Sequence, residues 1–138
     1  MNPKHESEKL MNAVLPVARQ MLKQHGEFYP YGGYMKQDGT IVHAGAKDGQ
    51  TDRPKSEDLI RVLQNAFRDL ATGNEIRAAA IVFNVSISLP NPHRKSDAIH
   101  VYIDHVEGYS VEVFFPYQIV KSNVVYGETF AQGGKPGP

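Results

Sequence analysis

An imidazole, a phenol and carboxylates recur at every second position in residues 97–117, DAIHVYIDHVEGYSVEVFFPY. His100, Tyr102 and Asp104 alternate with Ile99, Val101 and Ile103, and Ser110, Glu112 and Phe114 alternate with Val111, Val113 and Phe115. Side chains of a strand alternate between its two faces. The pattern therefore predicts a hairpin with one core face and one face carrying reactive groups. Histidine and carboxylates on adjacent strands can bind protons, cations or a peptide. One metal ion cannot be shared by His100 and Asp104, because four residues on a strand span roughly 13 Å. Parity sets the turn. A two-residue Glu107-Gly108 loop would pair Asp104 with Val111 and mix the faces. A three-residue Val106-Glu107-Gly108 loop pairs Ile103 with Val111 and Tyr102 with Glu112, and Gly108 takes the left-handed position.

A second group is Glu27-Phe28-Tyr29-Pro30-Tyr31-Gly32-Gly33. Proline fixes the backbone and glycine permits close approach. The group predicts a turn whose aromatics cap the core, or a pocket lined by Phe28, Tyr29 and Tyr31 with Glu27 as its charged residue. The six histidines show no zinc-binding helical spacing. Pro92-His93-Arg94-Lys95 is a short basic loop, expected to be solvated. There is no P-loop, GxGxxG or GxSxG, and no cysteine nucleophile.

These groups need elements to hold them. Leu10, Met11, Val14, Leu15, Ala18, Met21 and Leu22 recur at helical spacing, predicting an amphipathic helix over 6–25 that Gly26 stops, with Pro16 kinking it or delaying its start. Tyr34-Met35-Lys36 and Thr40–His43 flank the turn signal Asp38-Gly39 and predict a hairpin pairing Met35 with Ile41. Ser56 is the expected N-cap of a second helix carrying Leu59, Ile60, Leu63, Ala66, Phe67 and Leu70, ended by Gly73 or Asn74. Residues 76–89 alternate, with Asn84, Ser86 and Ser88 expected beside His100, Tyr102 and Asp104. Pro90–Ser96 reads as a loop. After Pro116 the pattern fades, leaving Val124, Val125, Tyr126 and Phe130 for a short strand or arm. The expectation is one α+β domain over residues 1–130 and a flexible tail over 131–138. Its order is helix, hairpin, helix, three-stranded meander, forming a five-stranded antiparallel sheet with helices packed on it. A sheet order of 2-1-5-4-3 fits, and this order of elements resembles the profilin-like and roadblock-like architecture. An open antiparallel sheet ordinarily keeps one face in water, so the plain expectation for the polar face is solvation.

Leu22–Gly33, Gly73–Val85 and Ser96–Tyr117 together are similar to a family of small uncharacterised bacterial proteins. The matching features are Glu-Phe-aromatic-Pro-aromatic-Gly at Glu27–Gly32, Ile-Arg-Ala-Ala at Ile76–Ala79, Asp-Ala-Ile at Asp97–Ile99 and Phe-Pro-Tyr at Phe115–Tyr117. The resemblance spans most of residues 20–117. It implies a bacterial cytoplasmic protein and no substrate.

Bulk composition agrees with that setting. Fifteen basic and fifteen acidic residues balance, which argues against nucleic acid as the main partner. Cysteine is absent, so no disulfide or thiolate metal site forms and a reducing compartment is expected. The first residues, MNPKHESEKL, have no signal-peptide core, and no apolar run is long enough to span a membrane. The leading expectation is a small non-catalytic binding protein, acting on a protein partner or on itself as a homodimer, with a small-molecule ligand as another fit. It uses neither cofactor nor metal. Its candidate binding residues are Glu27, Tyr29, Tyr31, Asn84, His100, Tyr102, Asp104 and Glu112. Two other readings stand beside it: an immunity-type protein that neutralises a toxin, and a small enzyme whose pocket uses Glu27, His100 and Asp104.

Overall fold

Asn2 opens the first helix, its side-chain oxygen accepting from the Lys4 and His5 amides, and Pro3 follows at a position where no donor is needed. The computed structural model describes residues 2–45, 55–90 and 93–134. The helix, α1, runs Pro3–His25 through Pro16 and ends at Gly26, whose φ of 73° is left-handed. The later start does not occur, and a tyrosine hydroxyl shows how the chain accommodates the proline. Ala18 N–H donates to the Tyr31 hydroxyl (2.8 Å), which donates to the Val14 carbonyl (2.5 Å), bridging two groups that a plain helix bonds directly.

The strands are β1 (Tyr31–Lys36), β2 (Ile41–Ala44), β3 (Ile76–Pro90), β4 (His93–His105), β5 (Tyr109–Val120), β6 (Asn123–Tyr126) and β7 (Phe130–Gly133), with α2 (Ser56–Thr72) between β2 and β3. The antiparallel sheet is seven-stranded, ordered β2-β1-β3-β4-β5-β6 with β7 also on β5. This overturns the five-strand expectation and the order 2-1-5-4-3. The reason lies at the end of the chain. β6 pairs with Tyr117–Val120 and β7 with Val111–Phe114, end to end along one edge of β5, so β1 pairs with β3 instead. Residues 131–133 are thus strand, not tail; 135–138 lie outside the described residues. The expected loop at 90–96 is largely strand too, since β3 and β4 pair out to Pro90 and His93.

Both hairpin registers agree with the parity argument. Met35 faces Ile41; Ile103 faces Val111 and Tyr102 faces Glu112; Gly39 and Gly108 have φ of 90° and 87°. The second helix differs in one detail: Lys55 occupies its N-cap and Ser56 is its first residue.

The two helices cover opposite faces. Leu10, Val14, Leu15, Ala18 and Leu22 of α1 bury Ala78, Ala80, Val82, Ile99, Val101 and Ile103. Leu63 and Phe67 of α2 pack on Ile81, Tyr34, Ala79 and Phe83. β1 lies between them, and its consecutive glycines answer to one helix each. A Cβ on Gly32 would lie 2.3 Å from the Ala80 carbonyl oxygen and 3.0 Å from the Phe67 ring, and one on Gly33 would lie 2.7 Å from Val14. No described helix is long and apolar enough to cross a membrane.

Gly32→Ala is expected to cost roughly 2 kcal/mol through overpacking. Gly45→Ala, whose methyl would meet nothing within 4 Å among the described residues, should be near neutral. Urea denaturation of the two variants against the parent checks this.

Candidate functional site

Cross-strand register assembles the site from residues far apart in sequence. Three rows stand on the α2 side of the sheet: Phe83–His100–Phe114–Phe130, Ile81–Tyr102–Glu112–Gln132, and Ala79–Asp104–Ser110. The stripe of α2 that packs on β1 and β3 leaves Ile60, Gln64, Arg68 and Ala71 to wall a groove of about 900 Å³ above these rows. The turn at Val106 and Gly108 borders it.

His100, Tyr102, Asp104 and Glu112 all line this groove. Asn84 does not. It faces the α1 side, where its amide donates to Asp97 Oδ1 (3.3 Å) and its oxygen accepts from the Tyr117 hydroxyl (2.5 Å). The expectation inverted the faces of β3: Phe83, not Asn84, stands beside His100. Pairing with β1 stops at Val82, so Asn84, Ser86 and Ser88 lie beyond the shared core and stay exposed.

His100 is not on a solvated face. Its side chain is 9% exposed. The ring is held edge-on by Phe83 at 4.5 Å and stacked on Phe114 at 4.4 Å, and Phe114 stacks on Phe130 at 4.9 Å. Nε2 lies at ion-pair distance, 3.0 Å, from Glu112 Oε1 but off the line of a hydrogen bond, and both ring nitrogens are enclosed, with no aligned hydrogen-bond partner among the described residues. Burial holds the imidazole below its ordinary pKa, opposed in part by the charge and the hydrogen-bonding pull of Glu112. Nearby, Gln132 donates to Glu112 Oε2 (3.2 Å) and the Ser110 hydroxyl to Asp104 Oδ1 (2.7 Å). Burial and the Asp104 charge raise the Tyr102 phenol, so it remains protonated.

Glu27, Tyr29 and Tyr31 line a second groove of about 640 Å³, with His25 and His43, on the α1 side. Glu27 lines a different groove from His100 and Asp104. The three do not converge as the enzyme reading required. The Tyr31 hydroxyl is committed to α1, and burial holds its phenol far above the usual range.

A further polar cluster escaped the sequence reading. Glu6 is 1% exposed, at the rim of the sheet, and accepts from Arg77 Nε (2.8 and 3.1 Å) and His105 Nε2 (2.8 Å). The Glu107 amide donates to His105 Nδ1 (3.1 Å), which leaves the proton on Nε2 to donate to Glu6. Two signals were present. Glu6 stands four residues before Leu10 on the buried stripe, and His105 follows Ile99, Val101 and Ile103 in the core parity. Arg77 had none. Between Met35 and Lys36 the partner shifts from Ala78 to Ile76, and this bulge turns Arg77 towards α1 and Ile76 towards the groove. Among the described residues, Glu6, His105 and Glu107 are the one group close enough to hold a metal ion. Both His105 nitrogens and both Glu6 oxygens are already engaged, and the Arg77 cation adjoins them, so the set does not suit one.

Comparisons with protein-family models, with curated proteins and with solved structures found no match to this chain.

The Arg77 hydrogen bond holds the Glu6 carboxyl below its unfolded value of 4.5. Its stabilisation is complete above that value and is lost as pH falls through the folded pKa. Glu6→Gln should cost ~2 kcal/mol at neutral pH, from buried charged hydrogen bonds. The gap from the parent in thermal or urea melts should narrow as pH falls below the unfolded value.

Proposed function

We propose that this protein binds a small organic ligand with a planar, apolar body in the groove between α2 and the sheet. The observation that carries the reading is His100, buried at the edge of that groove beside Glu112, with no well-aligned hydrogen-bond partner for either ring nitrogen among the described residues. A buried polar group normally finds a partner, and one left open costs free energy that an incoming group recovers. The volume falls within the roughly 300–1,000 Å³ of small-molecule sites. Ile60, Phe67, Ala71, Ile81 and Phe83 give apolar walls, and His100, Tyr102 and Glu112 gather the polar groups on the strand side. This keeps the expectation of a binding protein and moves its ligand from the open sheet face to the groove.

Indole is a suitable neutral probe. Titrated at millimolar concentration, it should shift the NMR resonances of Phe83, His100 and Tyr102, and Ala71→Trp, which fills the mouth of the groove, should abolish those shifts. Shifts confined to Tyr29 and His43, or spread over the surface, would contradict the reading.

A second reading, self-association, is favoured by Val120 and Val125, which are 47% and 54% exposed on the β5–β6 hairpin beside the open edge of β6. Sedimentation equilibrium decides it: a dimer that Val125→Asp dissolves supports it, and a monomer at all concentrations removes it.

A further inference from the structure

We infer that the second groove, on the α1 side, binds a quaternary ammonium, the trimethylammonium head of a small free solute. This site is separate from the groove beside α2 and does not rest on it. Its walls come from the Glu27–Gly33 group. Phe28, Tyr29 and Tyr31 line it together with Val17 and Met21 of α1. The Phe28 and Tyr31 rings stand 6.1 Å apart at 68°, so a body seated beside them meets aromatic surface in two orientations. That corner is held in place. The Tyr31 hydroxyl is tied to the Ala18 amide and the Val14 carbonyl, and Pro30 is buried. Tyr29, by contrast, is 53% exposed and free to close on an occupant.

Charge selects among ligands that would fit such walls. Glu27 is the one carboxylate on the groove, and no lysine or arginine lines it among the described residues. Glu27 is exposed, so water screens its pull and the rings carry most of the selection. The face of an aromatic ring is electron-rich and attracts a cation within about 6 Å of its centre.

Hydrogen-bonding capacity selects the kind of cation. A primary ammonium brings three N–H donors that need acceptors. The Tyr31 hydroxyl is already committed, which leaves Glu27 as the charged acceptor. A quaternary ammonium brings no such donors, and its methyl groups suit the apolar surface of Val17 and Met21. A phosphate ester on the same head would meet Glu27 with no lysine or arginine to balance it. The groove therefore fits a phosphate-free solute better than a phosphocholine headgroup.

Four probes test this: choline, ethanolamine, 3,3-dimethyl-1-butanol and phosphocholine. The first three share a hydroxyethyl tail and differ in the head, which is a methylated cation, a bare ammonium or a neutral carbon isostere. Titration at pH 8 lies above the ordinary imidazole pKa of about 6.5, which matters because His25 and His43 also line the groove. Choline should shift the NMR resonances of Tyr29 and His43, and its own methyl signal should move upfield under the ring currents. It should bind roughly fivefold or more tighter than the other three, as a cation–π contact implies. Tyr29→Leu keeps an apolar side chain at an exposed position. It should weaken choline roughly fivefold and leave the neutral alcohol unchanged. Glu27→Gln should weaken choline by a smaller factor. Equal or tighter binding of any other probe overturns the inference, as does a choline affinity that Tyr29→Leu leaves unchanged. So does the lack of any saturable shift at tens of millimolar choline. None of these results touches the reading of the groove beside α2, which the indole titration tests separately.

Discussion

Everything on this molecule's two faces depends on the register of β4. Its Ile99, Val101 and Ile103 form the core under α1, and its His100, Tyr102 and Asp104 form the floor of the groove. A slip of one residue would carry Val101 out of the core and His100 into it. Apolar burial opposes such a slip but is non-directional. At the turn end of the strand a directional lock is added. His105 sits in the core parity, with one ring nitrogen on Glu6 of α1 and the other on the backbone of the turn that sets the register. Helix, strand and turn therefore agree on one alignment. Arg77 completes the lock, because a bulge in the neighbouring strand turns it towards the same carboxylate.

The second constraint is thickness. Two helices can sit on opposite faces of β1 only because its backbone carries no side chains where they cross. Gly32 admits Phe67 on one side and Gly33 admits Val14 on the other. That close seat places α2 over β1 and β3 and leaves the same face of β4, β5 and β7 without a helix among the described residues. The groove is the step between covered and uncovered sheet. His100 stands at that step, stacked within the aromatic row on one side and facing the groove on the other.

Period-two alternation with a single consistent turn made the β4–β5 hairpin legible in the sequence, including the pairing of Tyr102 with Glu112. The candidate residues on β4 and β5 were found for the same reason. Asn84 was misplaced because both residue sets of β3 are rich in small and aliphatic side chains, so alternation alone could not say which faced α1. β6 and β7 are four residues each, too short and too exposed for a periodic signal. Read only as one short strand or arm with no place in the sheet, they left an edge of β5 apparently free and misled the sheet order. The bulge at Arg77 has no compositional mark. Glu6 and His105 were legible in principle, as polar residues standing in apolar series, and parity was the means of finding them.

The account turns on burial, not pairing with Glu112, governing His100 at the edge of the groove, and its own titration tests that most directly. Nitrogen-detected NMR of the imidazole ring should show His100 titrating below the ordinary histidine value of 6.5, because burial outweighs the attraction of Glu112. Titration at or above 6.5 would mean that His100 and Glu112 form a settled ion pair. That result would remove the observation on which the ligand reading stands.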